Sequence, residues 1–411
     1  MHSVASRTSL VVFSLLVGAL PIRVHAQGYP TMGDPMPDAT RASLAESARR
    51  FNELAPKLVQ SAGIKPGDLV TISGGLLMVR QMEALGAEVQ KAGGRPLLFL
   101  DSPRLTRELY ASVPEDVIAK SPTSYEKFAA QNVAVAFYLP SGEDFASVRT
   151  VDRRSQVDHA LAKLDAASRP ERDKGITRSL FIGIPTPSDT ASIQMDYPAY
   201  ADMTWTAVDA DYSAIRAKGE AIKQIIQGAK HLRVTSPEGT DFTVDLGKRP
   251  VVVGAGLVPA GTKGNEAQRS GGLPGGTVRF APMETSANGK LRAAEDQCSQ
   301  PVKDEAIDVK NGVATSVTAA SDEECLKQSM KNAGRFGSIV IGLNPAIQYS
   351  HIPSYGPQLE ASAGAVSLSF GSNGYLGGTN PPVGGGWTVP LLKATVEADG
   401  KVIVKDGKLA L

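Results

Sequence analysis

Between residue 40 and about residue 246, short aliphatic runs alternate with longer amphipathic ones, and this alternation constrains the fold more than any other property of the chain. Ser43 to Ala62 carries Leu44, Phe51, Leu54, Leu58 and Val59 at helical spacing, and Gly63-Ile64-Lys65-Pro66-Gly67-Asp68 stops that helix before the strand Leu69-Val70-Thr71-Ile72. A helix through Arg80, Leu85 and Val89 then leads by way of Gly93-Gly94 to a second strand, Pro96-Leu97-Leu98-Phe99-Leu100. Strands joined through a helix are most economically parallel, since the helix carries the chain back to the starting edge. Val133 to Tyr138 and Ser179 to Ile184 read as two more strands, with a helix around Val157 to Leu164 between them. A helix from Asp211 to Gly228 then delivers the chain to Leu232-Arg233-Val234-Thr235. The turn after the first strand, Ser73-Gly74-Gly75-Leu76, has neither the G-x-G-x-x-G spacing nor a Walker lysine, so the pattern supports no phosphate cradle.

From Pro250 onward the character changes. Short apolar alternations such as Val251-Val252-Val253, Val278-Arg279-Phe280, Ala306 to Val309 and Lys401 to Val404 are separated by glycine turns, and Asp399-Gly400 and Asp406-Gly407 are hairpin signals. The expected fold is therefore an α/β N-terminal domain with a parallel sheet over residues 43–249, followed by a β-rich α+β C-terminal domain over residues 250–411. A Pro-rich stretch over 27–42 reads as an extended leader into the first helix.

Four blocks in this second half share an order and a peculiarity. The first is Leu273-Pro274-Gly275-Gly276-Thr277-Val278-Arg279-Phe280-Ala281-Pro282, continued by Met283-Glu284-Thr285-Ser286. The second runs from Phe336 to Pro345, with Ser338 near its start and Asn344-Pro345 at its end. The third is Gly364-Ala365-Val366-Ser367-Leu368-Ser369-Phe370-Gly371, and the fourth joins Gly377-Gly378-Thr379-Asn380 to Gly386-Trp387-Thr388. Together they resemble the motifs of the aminopeptidase S/aminopeptidase T family of two-metal exopeptidases, often called leucyl aminopeptidases. The likeness extends from Ile64-Lys65-Pro66-Gly67-Asp68 to Lys405-Asp406-Gly407.

In that family the first block reads Leu-Pro-x-Gly-Glu, the second Gly-Glu-x-x-x-Gly-x-Asn-Pro, the third Gly-Thr-x-His, and the fourth ends His-Trp-Asp. The resemblance implies a metal ligand at five positions, which here are Thr277, Ser338, Ser367, Gly386 and Thr388. Such a peptidase uses divalent metal to generate hydroxide and polarise the scissile carbonyl, and imidazole or carboxylate must hold the metal. Thr, Ser and Gly do not, so the expected cofactor is none. The alternative is a rearranged site for a divalent ion such as zinc, cobalt or manganese. Of the histidines, His159 and His231 read as surface or packed residues, and His351, in a loop with Tyr349 and Tyr355, is the one near the motifs. His351 with Glu284 and Glu360 is the candidate set for a mononuclear triad. One relative in the family opens a dihydroxypyridine ring with a mononuclear iron, but that route also needs histidine and carboxylate ligands. No G-x-S-x-G elbow occurs, and clustered Ser and Thr have no base assigned to them.

The first residues bear on compartment. Arg7, the apolar run Ser9 to Ile22 and the small residues of Val24-His25-Ala26 read as an export signal over 1–26, cleaved to leave a chain beginning near Gln27, with an uncleaved anchor as the alternative. Cys298 and Cys325 are the two cysteines of the chain, and in an exported protein they read as a disulfide. Both features point to the periplasm or the exterior. A formal net charge of +1 over 411 residues gives no basic excess for nucleic acid. The expected partners are a peptide or small molecule in the cleft and, from the resemblance, a second copy in a homodimer, with no stable membrane span after cleavage. Two functions stand: a non-catalytic binding or structural relative, or a working metallo-aminopeptidase with an unrecognised site.

Overall fold

The computed structural model describes residues 38–141, 153–190, 195–298, 301–347, 359–383 and 386–411. Helix α1 (Asp38–Ala62) begins earlier than expected and takes in residues 38–42 of the anticipated leader. Asp38 in its first turn complements the positive end of the helix dipole. Phe51, Leu58 and Val59 form its buried stripe. The strands β1 (Leu69–Gly75), β2 (Arg95–Asp101), β3 (Val133–Tyr138) and β4 (Arg178–Ile182) pair in parallel in the order β2-β1-β3-β4, with α2 (Val79–Lys91) crossing from β1 to β2. Val70, Ile72, Phe137 and Leu180 pack against Phe51, Leu58, Met82 and Leu85, so β1 is buried on both faces as a central parallel strand should be. Helix α3 (Arg154–Lys174) precedes β4, and α4 (Tyr197–Val208) brings Trp205 into the same core.

Helix α5 (Tyr212–Gly228) starts on Asp211, whose carboxylate accepts the N–H groups of Ser213 and Ala214. Two strands then cross the boundary expected at 249/250. β5 (His231–Thr235) and β6 (Asp241–Asp245) pair antiparallel and join the β-rich part, where their alternating burial turns Leu232, Val234, Phe242 and Val244 inward. After β7 (Val251–Gly254), the chain runs in the opposite sense: β8 (Ser270–Leu273) adds in parallel to β4 as the fifth strand of the first sheet. Gly272 makes this approach feasible, because a Cβ there would lie 2.3 Å from the Phe181 carbonyl oxygen.

The remaining strands are β9 (Thr277–Phe280), β10 (Asn288–Gln297), β11 (Pro301–Lys310), β12 (Val313–Thr318), β13 (Phe336–Gly342), β14 (Val366–Phe370), β15 (Trp387–Leu391), β16 (Thr395–Ala398), β17 (Lys401–Lys405) and β18 (Lys408–Leu409). They build an eight-stranded antiparallel sheet, β12-β11-β10-β6-β5-β16-β17-β18, and a five-stranded one, β15-β14-β13-β9-β7. One hydrophobic core joins the inner faces of these two sheets, and Ile215, Ile222 and Ile226 of α5 belong to it. Its aromatic spine runs from Phe242 to Phe336 (4.9 Å between centroids), Phe370 (5.6 Å) and Trp387 (4.7 Å). Asp399-Gly400 and Asp406-Gly407 take positive φ at both residues, as the tight β16–β17 and β17–β18 turns require. Helix α6 (Glu323–Ala333) is tied to the end of β10 by the Cys298–Cys325 disulfide.

The architecture is an α/β domain with a parallel sheet and a β-rich domain of antiparallel sheets, as the residue pattern implies. No helix among the described residues is long and apolar enough to cross a membrane. The export signal expected over 1–26, and its cleavage point, lie outside the described residues.

Candidate functional site

The five-stranded sheet has one apolar face and one polar face, and strand register decides which side chains share them. Phe336, Ile339 and Ile341 of β13 oppose Phe370, Leu368 and Val366 of β14 on the core side. A bulge at Gly337 keeps Phe336 on that side despite the odd spacing to Ile339, and so sends Ser338 to the other. Across the sheet from Ser338 come Ser369 and then Thr388. Val340 lies between Arg279 and Ser367, and Gly342 is opposite Thr277. Hence Thr277, Ser338, Ser367 and Thr388, four of the five positions singled out in the sequence, occupy one face of one sheet. Gly386 directly precedes β15, and having no side chain it contributes backbone alone.

This face is polar but almost uncharged. Thr277, Ser338, Ser367, Ser369 and Thr388 are all buried, and the hydroxyls of Ser369 and Thr388 are hydrogen-bonded at 2.9 Å. The charged member is Arg279, two residues beyond Thr277 on the same strand. Its Nε donates to Thr277 Oγ1 at 3.2 Å, and Nη2 lies 3.3 Å from Glu360 Oε2. A guanidinium thus contacts a side chain that stands where the resemblance implies a metal ligand. Tyr375 is buried beside the layer, with its phenol facing Ser338, Arg279 and Glu360. Burial raises its pKa and Glu360 adds to this, while Arg279, Ser338 and Arg169 pull the other way.

Of the residues proposed for a rearranged metal site, the two that are described, Glu284 and Glu360, are each engaged by an arginine. Glu284 accepts hydrogen bonds from Asn373 Nδ2 (2.7 Å) and the Thr379 N–H (2.8 Å), and pairs with Arg249 at 2.7 Å. Burial raises its pKa, yet those donors more than offset it and the net direction is down, as for a permanently ionised structural carboxylate. Glu360 is committed instead to Arg279, and His351 lies outside the described residues. His231 sits at the exposed start of β5 against Asp245, in the other sheet. Among the described residues, the group of His, Cys, Asp or Glu close enough to share an ion is Cys298, Asp322 and Cys325, whose two sulfurs are bonded to each other. Hydroxyls and a guanidinium do not fit the two-dication centre of the resembled family, which needs imidazole and carboxylate donors.

Ser369, Arg279 and Tyr375 were not among the positions read from the motifs. Strand periodicity contains a signal for the first two, since Ser369 follows Ser367, and Arg279 follows Thr277, by two residues and so shares its face. Nothing local to Tyr375 carries such a signal.

Trp387, between Gly386 and Thr388, turns to the core side, where it stacks on Phe370. Glu305 of β11 is buried with Asp296 and the Trp387 indole as polar neighbours, and neither of its carboxyl oxygens has a hydrogen bond of good geometry. Burial, and then Asp296, push its pKa well above the ordinary 4.5. The folded protein therefore holds a proton that the unfolded chain releases, so stability falls as pH rises above about 4.5 and until the raised value is passed. Glu305→Gln is expected to stabilise the protein by about 1–3 kcal/mol at neutral pH and to flatten that decline. Thermal melts of both proteins across pH 4–9 check this, and parallel curves would contradict it.

Comparison with known proteins agrees with the architecture. A family model described as NicX, 2,5-dihydroxypyridine 5,6-dioxygenase, matches residues 210–411, which include α5 and both antiparallel sheets. The wild-type AmpT structure from Thermus thermophilus superposes with a TM-score of 0.68 at 18% identity, covering 88% of this chain and 99% of that one. The 2,5-dihydroxypyridine dioxygenase structure from Pseudomonas putida KT2440 gives 0.54 at 15% identity, covering 88% and 97%. No curated protein matches the sequence. At these identities the likeness is one of fold, and the chain has an aminopeptidase-like fold.

Proposed function

We propose that this chain is an exported, non-catalytic relative of the two-metal aminopeptidases, whose β-rich domain binds a peptide or small molecule instead of hydrolysing it. The observation that carries the reading is the shared face of Thr277, Ser338, Ser367 and Thr388: four of the five positions expected to hold metal sit together, and these four are neutral hydroxyls. Here the layer is knit internally by the Ser369–Thr388 hydrogen bond and by Arg279 on Thr277. Hydroxyls retain the capacity to bind polar ligands after the metals have gone. Export draws support from the residue pattern of 1–26 and from the Cys298–Cys325 disulfide, which suits an oxidising compartment. The expected homodimer stays part of the proposal, resting on the resemblance.

The test is hydrolysis of leucyl-p-nitroanilide by the purified mature chain, with and without zinc, cobalt or manganese. The reading expects no release of nitroaniline that depends on metal. Turnover that rises with added ions and disappears with chelator would establish a working peptidase instead.

A further inference from the structure

Strand β2 closes one end of the parallel sheet, and among the described residues no strand pairs with its outer edge. Sheets blunt such edges with short strands, bulges, lysines or a covering element. The eight-stranded sheet does so: it ends on the two-residue β18 and, at the far side, on β12, whose ladder to β11 is broken by a bulge. β2 has little of this protection. It runs seven residues, Arg95-Pro96-Leu97-Leu98-Phe99-Leu100-Asp101, in unbroken register with β1, and Leu98 and Leu100 are 47% and 52% exposed. Leu76 and Leu77, which follow β1, and Leu105, in the helix Pro103–Ser112 that follows β2, are exposed beyond the same carboxyl end of the two strands. These five leucines are nearly half of the eleven large apolar side chains exposed among the described residues, so the exposure is concentrated and not scattered.

The Arg95 N–H donates inward to the Asp68 carbonyl at 2.8 Å. Alternation along the strand then turns the N–H and C=O of Leu98 and Leu100, and the carbonyl of Pro96, outward. A second copy related by a two-fold axis through Leu98 satisfies them. In that antiparallel register Leu98 exchanges both bonds with the partner's Leu98, and each Leu100 N–H reaches the partner's Pro96 carbonyl. Pro96 has no N–H and so withholds only the return bond. The side chains suit the same register. On the face where Pro96 and Leu98 lie against Gly86 of α2, the row Pro96-Leu98-Leu100 meets the same row reversed. On the other face Leu97 comes opposite the partner's Phe99, and the charges at the two ends, Arg95 and the partner's Asp101, are opposite in sign. The five leucines leave on the order of 500 Å² of apolar surface in water on each copy, about the apolar share of a stable interface of roughly 800 Å² per partner. We propose that β2 pairs with β2 of a second copy about Leu98, joining two parallel sheets into one continuous sheet. This rests on the homodimer retained above and names its interface, and it is independent of whether the polar face holds metal.

Sedimentation velocity of the purified protein over a wide range of concentration, combined with cysteine cross-linking, tests it. The parent protein should sediment as a dimer. Leu98→Lys should shift it to monomer, since it sets two ammonium groups against each other on the axis, and a thermal melt confirms that the variant folds. Both native cysteines are in the Cys298–Cys325 disulfide, so a cysteine added at the edge reports pairing alone. Leu98→Cys should close to a covalent dimer under mild oxidation, because residues facing each other across the axis lie about 5.5 Å apart at Cα, within the span of a disulfide. Leu100→Cys should not, since its counterpart is displaced by four residues, about 13 Å along the strand. A monomer at every concentration, failure of Leu98→Cys to link, or Leu100→Cys linking as readily would overturn the proposal. A dimer untouched by Leu98→Lys would also overturn it, while leaving the homodimer to another surface. A monomer that dimerises only when residues 27–37 are removed would assign the edge to the chain's own leader and reject a second copy.

Discussion

Phe336→Ala is expected to destabilise the β-rich domain by about 3–5 kcal/mol, the range for emptying a buried aromatic site. Phe336 is wholly buried, and its ring lies 4.9 Å from Phe242 in the eight-stranded sheet and 5.6 Å from Phe370 in its own. It therefore joins the two layers of the sandwich, and neighbours anchored on both sides cannot easily collapse into the space. Its place beside the Gly337 bulge couples this packing to the polar face, since the same irregularity directs Ser338 outward. The two tryptophans make the effect separable: Trp387 reports the β-rich core and Trp205 the α/β core. In a Trp205→Phe background, urea unfolding followed by Trp387 fluorescence should show the full loss. A change below about 1 kcal/mol would mean that the two sheets are not held together through this ring.

Removing the disulfide should be nearly as severe. Cys298 and Cys325 are 27 residues apart, and on the chain-entropy model such a closure is worth about 3.5 kcal/mol. It ties α6 to the end of β10, close to the buried Asp296. The Cys298→Ser/Cys325→Ser double variant is expected to melt about 10 °C lower, and dithiothreitol should bring the parent chain to the same temperature while leaving the variant unaffected. A parent chain indifferent to reductant would show that the link adds no stability.

Much of the fold was legible because its elements are signalled locally. The helix-stop over residues 63–68, the buried run of β1, the helix from about Asp211 to Gly228 and the two Asp-Gly turns each combine the right residue types with the right spacing, and each forms as read. The polar face was legible for a related reason: strand periodicity of two, applied to each motif block, puts Thr277, Ser367 and Thr388 on the side opposite the aliphatic residues. Ser338 required the bulge as well, and a bulge at a glycine has no marker apart from the pairing it disturbs.

What remained hidden depends on long-range contact. β8 is Ser270-Gly271-Gly272-Leu273, too poor in side chains to look like a strand, and its partner β4 lies some ninety residues upstream. β5 and β6 look like any half-buried hairpin, and only the presence of β10 and β16 on either side assigns them to the β-rich sheet. The Arg279–Glu360 pair joins the first motif block to a residue outside all four, and the engagement of Glu284 by Asn373, Thr379 and Arg249 draws on three separate loops. Glu284 and Glu360 are equivalent as carboxylates in the sequence. In the fold they answer to different cations.

The central claim is that the site has exchanged a pair of dications for hydroxyls and a tethered guanidinium. Its most direct test is the metal content of the purified, tag-free protein, equilibrated with excess zinc, cobalt or manganese and then dialysed to constant composition. The account predicts metal far below one equivalent and a melting temperature indifferent to chelator. Stoichiometric metal that EDTA removes, together with a fall in melting temperature, would contradict it.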